Sequence, residues 1–237
     1  MEIDEIMGRI KKGGLPNLSP LLPAILNLDG KPYSLEKHFQ FESLFNVYMP
    51  RRTILKTGRQ VGKSTVISAH GVITCATIPY FRNLYITPLF EQVRRLSSNY
   101  VRPFIEQSPV KSILIGPETE NSVLQRSFRN NSMMQFSFAL LDADRIRGIR
   151  ADQVVIDEVQ KAPTLLNQVH DIISVRGDEI RFALSGSSAR KLRRLEANLL
   201  AGRVIQRSFF PLTFSELGAD YSADAAMTIG LLPGIVS

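Results

Sequence analysis

The stretch "KTGRQVGKST", Lys56 to Thr65, restricts what this chain can fold into more than any other. The phosphate-gripping pattern is G-x-x-x-x-G-K-[ST], set between a strand and a helix. Counting back from Gly62-Lys63-Ser64, the first glycine should stand at position 57. Thr57 is there instead, and Gly58 follows. The groups the chemistry needs are still present. Gly62 has no side chain to obstruct a phosphate. The backbone N–H groups of Gly58, Arg59, Gln60, Val61, Gly62, Lys63 and Ser64 can line a concave anion nest at a helix N-terminus. Lys63 can reach the outer phosphates, and the Ser64 hydroxyl suits Mg²⁺. Residues 52–57 read as a strand of β-formers, and 64–75 as a helix. The plainer reading is a turn that happens to contain Gly-Lys-Ser.

"QVVIDEVQ", 153–160, supplies the other half of a nucleotide hydrolase. An apolar strand ending in two acids is expensive to bury unless they meet a cation or donors. Asp157 at the strand's C-terminal end is placed for the Mg²⁺ shell. Glu158 is placed to orient or deprotonate an attacking water. "LSGSS", 184–188, ends the next strand with small polar residues, where the strand ends of a parallel sheet face a ligand crevice. Ser185 or Ser187 there suits a γ-phosphate sensor, and equally a good turn. Candidate arginines for the γ-phosphate charge are Arg59 in the loop, Arg145 and Arg147 in "DRIRGIRAD", and Arg203. His38, His70 and His170 read as structural or solvent-facing, and Cys75 as core.

From residue 52 onward, strand and helix alternate. Strands are expected at 83–87, 153–156, 182–185 and 204–209, with a hairpin from 123 to 140. Helices are expected at 88–107, interrupted or ended by Pro103, from Pro163 to Gly177, and at 188–200. Residues 34–48 carry a helical stripe, and prolines 16, 20, 23 and 32 break the preface before it. The pattern implies an α/β fold, a mostly parallel central sheet flanked by helices. The expected organisation is an N-terminal extension (1–34), a nucleotide-binding domain (35–217) and an apolar C-terminal tail (218–237).

The 237 residues suffice for a substantial core. A single cysteine excludes an intrachain disulfide and a cysteine-built zinc site, and fits a reducing cytoplasm. No apolar run approaches the ~18 residues of a membrane span. The net charge is +7, and most of the excess lies between Arg181 and Arg207, where seven basic residues face one acid, Glu196. Such a stripe suits DNA, or simply a solvated helix face.

Residues 32–160 resemble the ATPase domain of the large terminase subunit of tailed bacteriophages. "PYSLEKH", "PRRTILKTGRQVGKST", "LYITPLFEQVRRLS" and "RIRGIRADQVVIDEVQ" carry the resemblance. The late glycine of the loop is usual in that family. The resemblance implies a P-loop NTPase of the additional-strand, catalytic-Glu type that drives double-stranded DNA into a capsid. It implies Mg²⁺-ATP at Gly58, Arg59, Gln60, Gly62, Lys63, Ser64 and Thr65, with metal at Asp157 and Glu158 as base. An arginine acting across a subunit boundary would be Arg145 or Arg147. A homo-oligomeric ring, portal and small-subunit partners, no membrane, and the host cytoplasm follow from the same resemblance. Residues 158–217 are similar to bacterial and archaeal AAA-type ATPases, through "DEVQKAPTLLNQVHDII", "RFALSGSSARKLRR", "ANLLAGRV" and "FFPLTFSELG". The two meet near 158–162. No cluster of acids follows Glu158, so DNA cleavage is not expected. An AAA-type regulatory or remodelling ATPase, and a scaffold that binds nucleotide without hydrolysing it, are the alternative functions.

Overall fold

Thr53 to Thr57 are all buried, so the strand leading into the phosphate loop lies inside a sheet covered on both faces. The computed structural model describes residues 17–46, 52–57, 61–138, 150–161, 164–176, 179–186, 205–209 and 222–223. A two-stranded ribbon pairs β1 (Asn27–Leu28) with β2 (Lys31–Pro32). The central sheet comprises β3 (Arg52–Thr57), β4 (Arg82–Thr87), β5 (Gln125–Ser127), β6 (Met133–Phe138), β7 (Gln153–Ile156), β8 (Arg181–Gly186) and β9 (Ile205–Phe209). Their spatial order is β5-β6-β4-β7-β8-β3-β9, and only the edge pair β5–β6 is antiparallel. The strand β8 therefore stands between the phosphate-loop strand β3 and the acidic strand β7. Its register sets Leu55 beside Ser185, and Ile156 beside Leu184.

Alternate residues of each strand face opposite sides, so the sheet builds two cores. Leu55, Tyr85, Met134, Phe136 and Val155 face helix α1 (Lys63–Thr77) and the N-terminal segment. Ile54, Leu84, Ile86, Val154, Ile156 and Leu184 face a later helix (Thr164–Arg176) through its Leu165, Val169 and Ile173. Helix α1 lies close against the sheet at Gly71, where a Cβ would lie 2.5 Å from Met134 Cε and 2.8 Å from Asn83 Nδ2.

The strands follow the sequence expectation to within a residue or two, and the hairpin closes through the Phe128 N–H to the Ser132 carbonyl. The stripe over 34–48 is not one α-helix. It forms 3₁₀ turns over Glu36–Phe45, broken at His38 (φ −137°, ψ 33°), because tertiary contacts at His38 override the periodicity. The 88–107 helix starts at Phe90, widens to a π-turn over Ser97–Val101, and resumes at Arg102–Glu106 with Pro103 in its first turn. The preface contributes Leu18, Leu21, Leu22, Ile25 and Leu26 to the same core as α1. The expected 188–200 helix, and the 218–237 tail apart from residues 222–223, lie outside the described residues. Among the described residues, no helix is long and apolar enough to cross a membrane.

Candidate active site

Gly62 caps α1 with φ +78°, a left-handed conformation that glycine adopts without steric cost. It has a second reason to lack a side chain. A Cβ there would lie 2.2 Å from His38 Nε2, so the broken 3₁₀ segment rests its imidazole against the loop. Val61 is buried. Lys63, Ser64 and Thr65 open the helix and are half-buried. Gly58, Arg59 and Gln60 lie outside the described residues, as do Arg145, Arg147, Ser187 and Arg203.

Across the crevice, β7 ends at Ile156 and delivers Asp157 and Glu158 to Lys63. The Lys63 ammonium lies 2.6 Å from Asp157 Oδ1 and 3.4 Å from Glu158 Oε1. Asp157 is buried and saturated with donors. Oδ1 also accepts from Ser185 Oγ at 2.5 Å and from the Glu158 N–H at 2.9 Å, and Oδ2 accepts from the Tyr85 hydroxyl at 2.8 Å. Burial pushes the Asp157 carboxyl up. The Lys63 charge and hydrogen bond, then Ser185 and Tyr85, outweigh it and hold the carboxyl below the usual carboxylate range. Burial, and then the Asp157 charge, push the Tyr85 phenol well above its ordinary value, so it remains a donor.

Glu158 sits at φ +53°, uncommon for a residue other than glycine and costly enough to need support. The turn is fixed by the Lys161 N–H to the Glu158 carbonyl at 2.8 Å. Gln160 Nε2 donates to Glu158 Oε2 at 2.7 Å, and Lys161 Nζ stands 3.3 Å from the same oxygen.

Of the residues expected from sequence, Lys63, Asp157, Glu158 and Ser185 thus converge. Ser185 is fully buried and donates to Asp157, so its hydroxyl supports the acid. Sequence reasoning missed Tyr85, Gln160, Lys161, His38 and Gln40. Tyr85 shares the inward parity of Leu55 and Val155, which is a usable signal only once the order of the strands is known. Gln40, two residues beyond His38, has both amide atoms buried without a partner among the described residues.

The donor set fits Mg²⁺. Ser64 and Asp157 offer hard oxygens, and the ammonium against Asp157 shows that the carboxylate already faces a cationic position. Among the described residues, no group of three or more His, Cys, Asp and Glu gathers to hold a metal.

Residues 50–218 match the family described as an AAA domain. No curated protein sequence matches the chain. The ATPase domain of the Thermus phage P74-26 large terminase superposes with a TM-score of 0.56 at 15% identity, over 85% of this chain and 94% of that one. The HK97 bacteriophage large terminase gives 0.63 at 13% identity, over 92% of this chain and 47% of that one. A large terminase from a thermophilic bacteriophage gives 0.51 at 16%, over 82% and 49%. The chain spans about half the length of the latter two. At these identities the likeness concerns the P-loop NTPase fold.

Proposed function

Because residues 50–218 make the chain a member of the AAA domain family, we propose that it is an Mg²⁺-dependent ATP-hydrolysing motor domain. The observation that supports this best is the convergence of Lys63, Asp157 and Glu158 at the C-terminal ends of β3 and β7, with β8 between them.

Lys63 is paired with the two acids. ATP binding exchanges that pairing for the β- and γ-phosphates, cradled by the N–H groups of 58–64. Ser64 and Asp157 are the residues that would hold Mg²⁺, which when bound neutralises charge on those phosphates. Glu158, released from Lys63, takes a proton from the attacking water. Ser185 and Tyr85 keep Asp157 oriented while its ammonium partner leaves. Arg59, Arg145 and Arg147 are the candidates for γ-phosphate charge. The orphaned Gln40 amide, on the segment that rests against Gly62, is the candidate for contact with the base.

The motor reading extends to a terminase-type partner, double-stranded DNA. Its support is the likeness to terminase ATPase domains and the basic stretch from Arg181 to Arg207. A homo-oligomeric ring, a portal and small-subunit contact, and a cytoplasmic location belong to the same reading. The family match favours a second reading, an AAA-type regulatory or remodelling ATPase.

Phosphate release with Mg²⁺-ATP, with and without double-stranded DNA, tests both. Stimulation by DNA favours the motor, DNA-independent turnover the regulator, and no release with tight binding a scaffold. Glu158→Gln should bind ATP normally and lose ~10²-fold or more in turnover. Lys63→Ala should weaken binding itself, and equal affinity of a fluorescent ATP analogue for it would end the phosphate-loop reading. Replacing Arg190, Arg193 and Arg194 with Gln should flatten the slope of log DNA affinity against log salt by up to ~0.9 per lost contact.

A further inference from the structure

We propose that Gln160 is a catalytic residue that holds the attacking water jointly with Glu158. The inference rests on the ATPase reading and adds a second residue to its chemistry. Its starting point is the turn that follows the acidic strand. Glu158 adopts φ +53°, the 3₁₀ turn Val159–Lys161 follows, and Gln160 is carried back onto the Glu158 carboxylate. The amide's orientation is decided by chemistry. Its NH₂ donates to Glu158 Oε2 at 2.7 Å, whereas the reverse orientation would set a carbonyl against a carboxylate, acceptor on acceptor.

That choice leaves Gln160 Oε1, which is buried and has no hydrogen-bond partner among the described residues. Buried amide oxygens are almost always satisfied, so an unsatisfied one calls for a reason. Among the described residues, the two lysines at this turn are committed to the acids. Lys161 Nζ faces Glu158 Oε2, and Lys63 faces Asp157 and Glu158. The unsatisfied acceptor thus adjoins the base carboxylate, whose other oxygen, Oε1, meets Lys63 at only 3.4 Å and is freed when that lysine moves to the phosphates.

The proposed water bridges this pair of acceptors once Lys63 has left. One O–H points to Glu158 Oε1 and the other to Gln160 Oε1, leaving a lone pair for the γ-phosphorus. In the reaction, the water oxygen forms its bond to phosphorus as the bond to the bridging oxygen breaks. Glu158 accepts one proton, Gln160 keeps the second O–H fixed without accepting its proton, and ADP departs with the bridging oxygen. The proton on Glu158 then passes to the phosphate or to solvent, which restores the carboxylate. Gln160 also fixes the carboxylate through its donor end, so one side chain aligns both base and nucleophile.

Gln160→Met keeps the bulk and removes both polar ends. Turnover should fall about 10-fold or more, while KM and the affinity for a fluorescent ATP analogue stay within about 2-fold. In a Glu158→Gln background the same change should cost almost nothing further, because both side chains act on one water. Gln160→Glu keeps the shape but faces Glu158 with a second carboxylate. Its turnover should be low. Wild-type turnover in Gln160→Met, penalties that multiply with Glu158→Gln, or a joint fall of nucleotide affinity and thermal stability would each overturn the proposal. A wild-type chain that binds Mg²⁺-ATP but does not hydrolyse it would overturn the ATPase reading as well. Unaltered Gln160 variants in an active enzyme would overturn this one alone.

Discussion

Asp157 is held by four donors: Lys63 from α1, Tyr85 from β4, Ser185 from β8, and its neighbour's own N–H. Among the described residues, Tyr85 alone satisfies Oδ2. Removing a donor to a charged, buried group costs more than the donor contributed, because the carboxylate oxygen is left without water or partner. Tyr85→Phe should therefore lower unfolding stability at pH 7 by about 1–3 kcal/mol. The folded-state pKa of Asp157 lies below its unfolded value, so its contribution is fully present above the ordinary carboxylate range. The contribution is lost as pH falls below ~4 and through the folded pKa. The gap between Tyr85→Phe and wild type, read from denaturant midpoints, should thus narrow at low pH. Equal midpoints at pH 7 would show that this hydrogen bond carries no stability. Asp157 and Glu158 were legible in sequence because an acidic pair ending an apolar strand demands compensation. Tyr85 was not, since nothing local tells a tyrosine that bonds an acid from one that only fills a core.

At the N-terminus of helix α1 the broken 3₁₀ segment rests His38 on Gly62, and that contact makes a sharp demand on both. Alanine at position 62 faces two separate penalties. The left-handed backbone costs about 1–2 kcal/mol, and a Cβ 2.2 Å from Nε2 must displace the imidazole. Gly62→Ala should lower the thermal midpoint and weaken ATP binding together. Adding His38→Ala should restore part of the stability and none of the backbone share. A double variant no more stable than Gly62→Ala would refute the steric account. The helix and its phosphate loop could be read from spacing. The segment over 34–48 could not, because its apolar stripe matched a helix while the true constraint, the backbone break at His38, lay in a contact with a loop some twenty residues on. The helix after β4 was legible as to place, but the π-turn before Pro103 had no sequence sign.

At the scale of the whole molecule, strand content followed from β-former runs, but strand order did not. Nothing local in "RFALSGSS" says that β8 enters between β3 and β7, although that insertion is what sets Ser185 on Asp157. Nor did the proline-rich preface reveal that its leucines share the core of α1. His70 lies where these parts join. It stands on α1 with its ring edge-on to Phe45 at 5.5 Å, bonded to the Leu44 backbone and 3.5 Å from Gln153 Nε2 on β7. Burial, and then the charge of Arg181, lower its pKa from 6.5 to about 4 against the opposing Leu44 bond. The fold therefore holds His70 neutral where the unfolded chain would protonate it. Between those two values the unfolded state binds more protons, so stability rises with pH. The contribution is fully present above pH 6.5 and is lost as pH falls toward 4, roughly 3 kcal/mol in all. Asp157 titrates below this window, which keeps the two effects separable. Unfolding free energy measured from pH 7.5 to 4 should slope for the wild type and run flatter for His70→Gln, whose amide does not titrate. Parallel curves would show that the joint between preface, helix and sheet is not what destabilises the protein in mild acid.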